Sequence, residues 1–190
     1  MFKTFRTFVV LLGAQLLSFA HAAEFPPELS AGPSLLLRNG HGECFKPAAL
    51  EPQYAMALYV AQPAKNAEGL VQDAGPAMFR FVARRATTGQ ELGHDLIRGM
   101  RGNNSVNDVA MNFRNVLGLA EAFSSVGKIA PGEQFAIEYV PGTGTMIYVN
   151  GTKMGSAIGD VKFFSMVKRI WLGSLPADAR LKVSLLGLGV

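Results

Sequence analysis

Few residues in this chain have the type and spacing to do chemistry. His41, Glu43 and Cys44 crowd into four positions and offer the nitrogen, oxygen and sulfur donors that bind a soft metal. No second cluster of ligands follows, and a structural zinc usually takes four, so no metal site is assigned. Cys44 would need a base to act as a nucleophile. His41 is three residues away and His94 lies further along, but no local signature of a cysteine enzyme surrounds the thiol. A buried, inert cysteine is the simpler reading. Gly142-Thr143-Gly144-Thr145 has the glycines of a phosphate cradle, yet such a cradle leads into a helix and carries a lysine. Here the glycines join two strand-like runs. His94-Asp95 could exchange protons beside a pocket. The apolar positions around the pair place it on the solvated side of a helix. No catalytic residue and no cofactor is assigned.

Trp171 carries the largest apolar side chain, and its indole N–H needs a partner if buried. It reads either as a core residue locking the last helices onto a sheet or as the wall of an apolar pocket. Both readings are compatible.

The elements that would position these residues are legible in the periodicity. Phe135, Ile137 and Tyr139 share one face of a strand and Glu138 takes the other. Pro141 to Thr145 links that strand to Met146–Val149, and Asn150-Gly151 turns into a strand over Lys153–Ile158. Earlier, Leu35–Leu37 is a short strand ended by Asn39-Gly40, and Gly42 to Pro52 reads as a loop. Tyr54–Val60 is apolar on both faces and so central. Pro63 to Pro76 reads as loop with one helical turn, and Met78–Val82 as a further strand.

Thr88 caps a helix to about Met100, with Glu91 completing a capping box. Its apolar face holds Leu92, Leu96 and Ile97, and Met100. After Gly102-Asn103-Asn104 a longer helix runs to about Phe123, with Val109, Phe113, Val116 or Leu117, and Ala120 as its buried stripe. Val161 to Trp171 is helical, and a short helix follows Pro176. Strands, two helices, hairpin strands, then helices give an α+β order, not alternating βαβ units. The expectation is a mainly antiparallel sheet with helices on one face.

Residues 1–22 read as a signal peptide. Lys3 and Arg6 precede an apolar core, Phe8 to Phe19, too short to span a membrane. Ala20-His21-Ala22 offers small residues for cleavage after Ala22. Lys3 and Arg6 leave with it, so the net charge falls from +4 to +2. Residues 23–34 read as an extended leader and 35–190 as one domain. No basic run interleaved with aromatics appears, which argues against a nucleic-acid partner. No apolar run of spanning length follows Ala22, so no stable membrane span remains after processing. An exported chain with one cysteine, and hence no internal disulfide, fits a periplasm. A monomer is expected.

From Leu35 to Leu186 the chain resembles the chalcone-isomerase-like family, in its bacterial exported branch. The markers are Asn39-Gly40-His41-Gly42, Tyr54 to Val60, the two-helix segment, Pro141 to Thr145, Asn150-Gly151, and Ile170-Trp171-Leu172-Gly173 with Pro176-Ala177. The resemblance implies an open-faced β-sandwich: a curved antiparallel sheet covered by helices, with an apolar pocket between. Some members cyclise chalcones, and others bind fatty acids without chemistry. The fold alone does not choose.

The resemblance also implies site positions. An arginine of the isomerase and fatty-acid-binding members falls at Cys44, with Lys46 the nearest cation. A helix tyrosine that polarises the ketone falls near Leu92, a lysine near Asp95 and an asparagine near Gly99. A pocket threonine falls at Tyr54, and two pocket residues at Ile170 and Trp171. With Leu96 added from the apolar face of the same helix, the candidate ligand-binding residues are Tyr54, Leu92, Leu96, Gly99, Ile170 and Trp171. Leucine cannot donate to a developing enolate, and losing one such donor costs about two to three orders of magnitude in rate. A carboxylate at Asp95 would repel an anionic ligand, and a fatty carboxylate would need Lys46, Arg98 or Arg101 in place of its arginine. The expectation is a non-catalytic binder of a small lipid-like or aromatic ligand. The alternatives are an isomerase (intramolecular lyase) using Tyr54 or Tyr59 as acid, and an envelope structural or interaction protein whose pocket is filled.

Overall fold

Seven antiparallel strands form one curled sheet, and helices cover its inner face. The computed structural model describes residues 24–47 and 49–189. The signal peptide expected at residues 1–22 lies outside the described residues. In chain order the elements are β1 (Glu28–Ala31), β2 (Ser34–Cys44), β3 (Tyr54–Val60), α1 (Ala67–Gln72), β4 (Ala77–Ala83), β5 (Thr87–Thr88), α2 (Gly89–Asn103), α3 (Val106–Met111), α4 (Phe113–Ser124), β6 (Lys128–Ile129), β7 (Gln134–Val140), β8 (Gly144–Val149), β9 (Thr152–Ile158), α5 (Val161–Leu172) and α6 (Ala179–Leu185). The sheet order is β1-β2-β3-β4-β7-β8-β9, and β5 pairs separately with β6. This is the expected α+β architecture.

Strand alternation sorts two cores. Tyr54, Met56 and Leu58 of β3, Phe79 and Phe81 of β4, and Phe135 and Ile137 of β7 face the helices. Ala55, Ala57 and Tyr59 face the other side, where Phe25 and Leu36 cover them. All seven residues of β3 are buried, as a central strand with two covered faces requires.

The N-terminal stretch differs from the expected leader. Glu28–Ala31 is an edge strand hydrogen-bonded to β2, and the residues before it strap the outer face. Tyr59 donates its hydroxyl proton to the Pro26 carbonyl at 3.0 Å, and Arg38 donates to the Phe25 carbonyl. Arg84 pairs with Glu24 at 2.7 Å.

A second difference concerns Asn39-Gly40. β2 does not end there but bulges, with Arg38 opposite Tyr59 and Gly40 opposite Leu58. The extra residue, Asn39, turns its amide to the helical side. Its Nδ2 donates to the Leu185 carbonyl at 2.7 Å, and its Oδ1 accepts from the Ala64 amide at 2.6 Å. Gly40 and Gly42 face α6 at alternate positions. A Cβ on Gly40 would overlap the Ser184 carbonyl oxygen, and one on Gly42 would lie 2.9 Å from Ser184 Cβ. The glycine motif is thus a docking strip for the last helix.

The hairpin signals are realised. Asn150 and Gly151 take positive φ, 48° and 79°, and connect β8 to β9. Gly142 (φ 76°) and Gly144 (φ 114°) turn β7 into β8. Thr88 accepts from the Glu91 amide in a complete capping box, and Asp160 caps α5. The helix after Asn104 departs from its expected stripe. It is broken at Asn112 into α3 and α4; Val116, Leu119 and Phe123 are buried, whereas Phe113 is 63% exposed. No helix among the described residues is long and apolar enough to cross a membrane.

Candidate functional site

α2 and α5 cross over the inner face of the sheet close to one another. Gly99 permits the approach, since a Cβ there would meet Ile170 Cγ2 at 2.8 Å. Beside this contact a cavity of about 330 Å³ opens against the strands. Tyr54, Phe81, Phe135 and Trp171 form its aromatic floor, and Leu92, Leu96, Gly99 and Ile170 its walls. Phe81 and Phe135 stack at 4.4 Å, with Tyr54 edge-on to Phe81 at 5.4 Å. All six sequence-predicted positions therefore border one space.

The polar groups inside are already engaged. Trp171 Nε1 donates to the Tyr54 hydroxyl oxygen at 3.0 Å. Cys44, paired with Tyr54 across the strands, completes this corner. Burial pushes the Cys44 thiol up to about 11, and burial beside that thiol raises Tyr54 well above the usual tyrosine range. Neither is poised to exchange a proton near neutrality. His41 cannot reach Cys44: three residues apart on a strand, they take opposite faces, and His41 packs near the Phe25 ring on the outer side. Tyr59 points outward to Pro26, so of the two tyrosines considered as acids only Tyr54 borders the cavity.

Charge gathers at the mouth. Asp95 lies here and not on an open helix face. It is 3.0 Å from Lys46 and 3.3 Å from Arg98, and accepts from Gln53 Nε2 at 3.2 Å. Two cations thus share one carboxylate, which offsets the repulsion expected of Asp95 toward an anion. Arg101 does not line this cavity but borders neighbouring depressions. Asn103 braces the rim by bonding both the amide and the carbonyl of Leu175, at 2.8 and 2.7 Å.

Sequence reasoning missed Phe81, Phe135, Gln53 and Asn103 as lining residues. Phe135 is marked in the sequence only by the strand face it shares with Ile137 and Tyr139, and Phe81 only by its place in the strand Met78–Val82. Which core residues border a void depends on the distance to the helices, and no local pattern carries that. Asn103 was read only as a helix breaker.

A family model described as chalcone isomerase-like matches residues 20–187. The chain belongs to the chalcone isomerase-like family. Among solved structures, an Arabidopsis thaliana fatty-acid binding protein is similar in fold, with a TM-score of 0.62 at 15% sequence identity over 85% of this chain and 90% of that one. No curated protein sequence matches the chain. Within this family member the open-faced sandwich is as expected, with the cavity between sheet and helices.

Proposed function

We propose that this chalcone isomerase-like protein is a non-catalytic carrier of a small amphiphile with an apolar tail and an anionic head, such as a fatty carboxylate. The observation that carries the reading is a partition: an apolar, aromatic-floored cavity whose inner polar atoms are mutually bonded, with Lys46 and Arg98 at its mouth. A tail would lie on Phe81, Phe135 and Trp171, and a head beside Lys46 and Arg98. Leu92 stands where a ketone-polarising donor would be needed for cyclisation. A volume near 330 Å³ falls within the range of ligand sites and favours a ligand over a cavity closed by side chains. The similar Arabidopsis protein is described as a fatty-acid binding protein, which supports the same ligand class.

The protein is exported through residues 1–22, released after Ala22 and held in the periplasm as a monomer in its bacterial source. That cleavage leaves Glu24 and Phe25 in place for the strap over the sheet. The mass of the processed chain, beginning at Ala23, and its sedimentation test this part.

Binding is tested by native mass spectrometry of the purified protein and by displacement of a fluorescent fatty acid. Affinity in the micromolar range, about −8 kcal/mol, is expected. An empty protein that binds neither probe contradicts the reading. The isomerase alternative retains one supporting feature, the Tyr54 hydroxyl at the cavity wall. It requires turnover that Tyr54→Phe abolishes.

A further inference from the structure

Beside the cavity mouth, α3 and α4 hold large apolar side chains out in solvent. Val106 is 88% exposed and Phe113 63%, and Leu117 is half exposed. Around them lies a second groove of about 430 Å³, lined by Val109, Ala110, Val116 and Ala120 and bordered by Ile97 and Arg101 of α2. The break at Asn112 creates this surface, because α3 and α4 no longer share one buried stripe.

A depression on α2 lies between the groove and the ligand cavity. His94, Arg98 and Arg101 recur at helical spacing along α2 and, with Ile97, bound the strip between the two. Arg98 belongs to the mouth as well, and Ile97 and Arg101 to the groove. Arg101 and Arg114 make no ion pair among the described residues. Of the nearby acids, Asp95 is shared between Lys46 and Arg98, and Asp108 is bonded to the Ser105 hydroxyl at 2.6 Å as the α3 cap. Glu121, one turn beyond Leu117, is exposed.

We propose that this face seats the protein on an anionic lipid bilayer, with Val106, Phe113 and Leu117 entering the interface and Arg101 meeting headgroup phosphates. Apolar side chains flanked by arginine are the pattern of a peripheral membrane contact. A bilayer is favoured over a partner protein by two features. Arg101, in no ion pair among the described residues, matches an anionic headgroup layer, and the face lies along the same helix that borders the cavity, so a lipid-like ligand has only one short strip of α2 to cross between bilayer and protein. The purpose, though not the contact, rests on the carrier reading above.

The test is co-sedimentation of the purified, processed protein with vesicles of phosphatidylcholine alone and of phosphatidylcholine mixed with phosphatidylglycerol. Binding to the mixed vesicles is expected to be at least about tenfold tighter, and to weaken as salt shortens the screening length. The double variant Val106→Ser/Phe113→Ser is expected to lose about tenfold in binding, and Arg101→Glu several-fold. These positions are exposed, so thermal melting and fatty-acid displacement in the absence of vesicles should not change. Absent vesicle binding overturns the proposal, as does binding that ignores both lipid charge and the variants. Self-association abolished by Val106→Ser/Phe113→Ser, without vesicle binding, would make the face a contact between copies and also overturn it. Vesicle binding that persists while fatty-acid displacement fails would leave the docking surface standing and remove the carrier reading.

Discussion

Tyr54 and Trp171 hold each other in place at the floor of the cavity. The indole N–H is buried and has the Tyr54 oxygen as its acceptor, so Tyr54→Phe strands a donor away from water. The expected cost is about 1–3 kcal/mol of stability, read from denaturant unfolding. Fatty-acid affinity should change by less than about threefold, since the hydroxyl is engaged with protein and not with ligand. Lys168 makes a second residue-scale case. It is 1% exposed, and its ammonium donates to the Asp73 carbonyl at 2.6 Å. Burial lowers it to about 8 from the ordinary 10.5. The unfolded chain therefore binds more protons between those values, and stability rises with pH across that window. Cys44 acts in the opposite sense above about pH 9, where its unfolded thiol ionises first. Relative to Lys168→Met, the wild type should gain about 1 kcal/mol of unfolding free energy between about pH 7.5 and 9. A flat difference would place the lysine in contact with water.

At the scale of elements, what the sequence reveals depends on how local the signal is. Asn150-Gly151, the Thr88–Glu91 capping box and the Phe135, Ile137, Tyr139 alternation each specify backbone within a few residues, and each forms as read. The continuation of β2 past Asn39-Gly40 was not legible, because the glycines look like a strand end until α6 is packed against them. The expected burial of Phe113 failed for a similar reason: apolar period alone does not reveal that Asn112 breaks the helix and leaves the residue facing solvent. The Gly40 contact yields a prediction. Gly40→Ala forces a methyl into the Ser184 carbonyl and must displace α6, at a cost of about 3 kcal/mol. Protection of α6 amides from hydrogen exchange should fall before that of β3. Equal stability of the variant would mean that α6 docks through other contacts.

For the whole molecule, the two faces of one sheet differ in what covers them. The strap from Glu24 to Ala31 covers the outer face over β2 and β3, and the inner face is left with a void under α2 and α5. Tyr54, Leu92, Gly99, Ile170 and Trp171 border that void and were mapped by the family resemblance, whereas Phe81, Phe135, Gln53 and Asn103 were not. The ring of charge was not legible, since Lys46 and Asp95 are far apart in sequence and meet only when the loop after β2 folds over α2. The account stands on the void taking up an amphiphile. Displacement of a fluorescent fatty acid from the processed protein, set beside Leu92→Trp, measures this most directly. The wild type should bind in the micromolar range, and Leu92→Trp, whose ring fills the space, should lose about thirtyfold or more while still folding. Equal binding by both proteins, or by neither, would contradict a ligand seated between α2, α5 and the sheet.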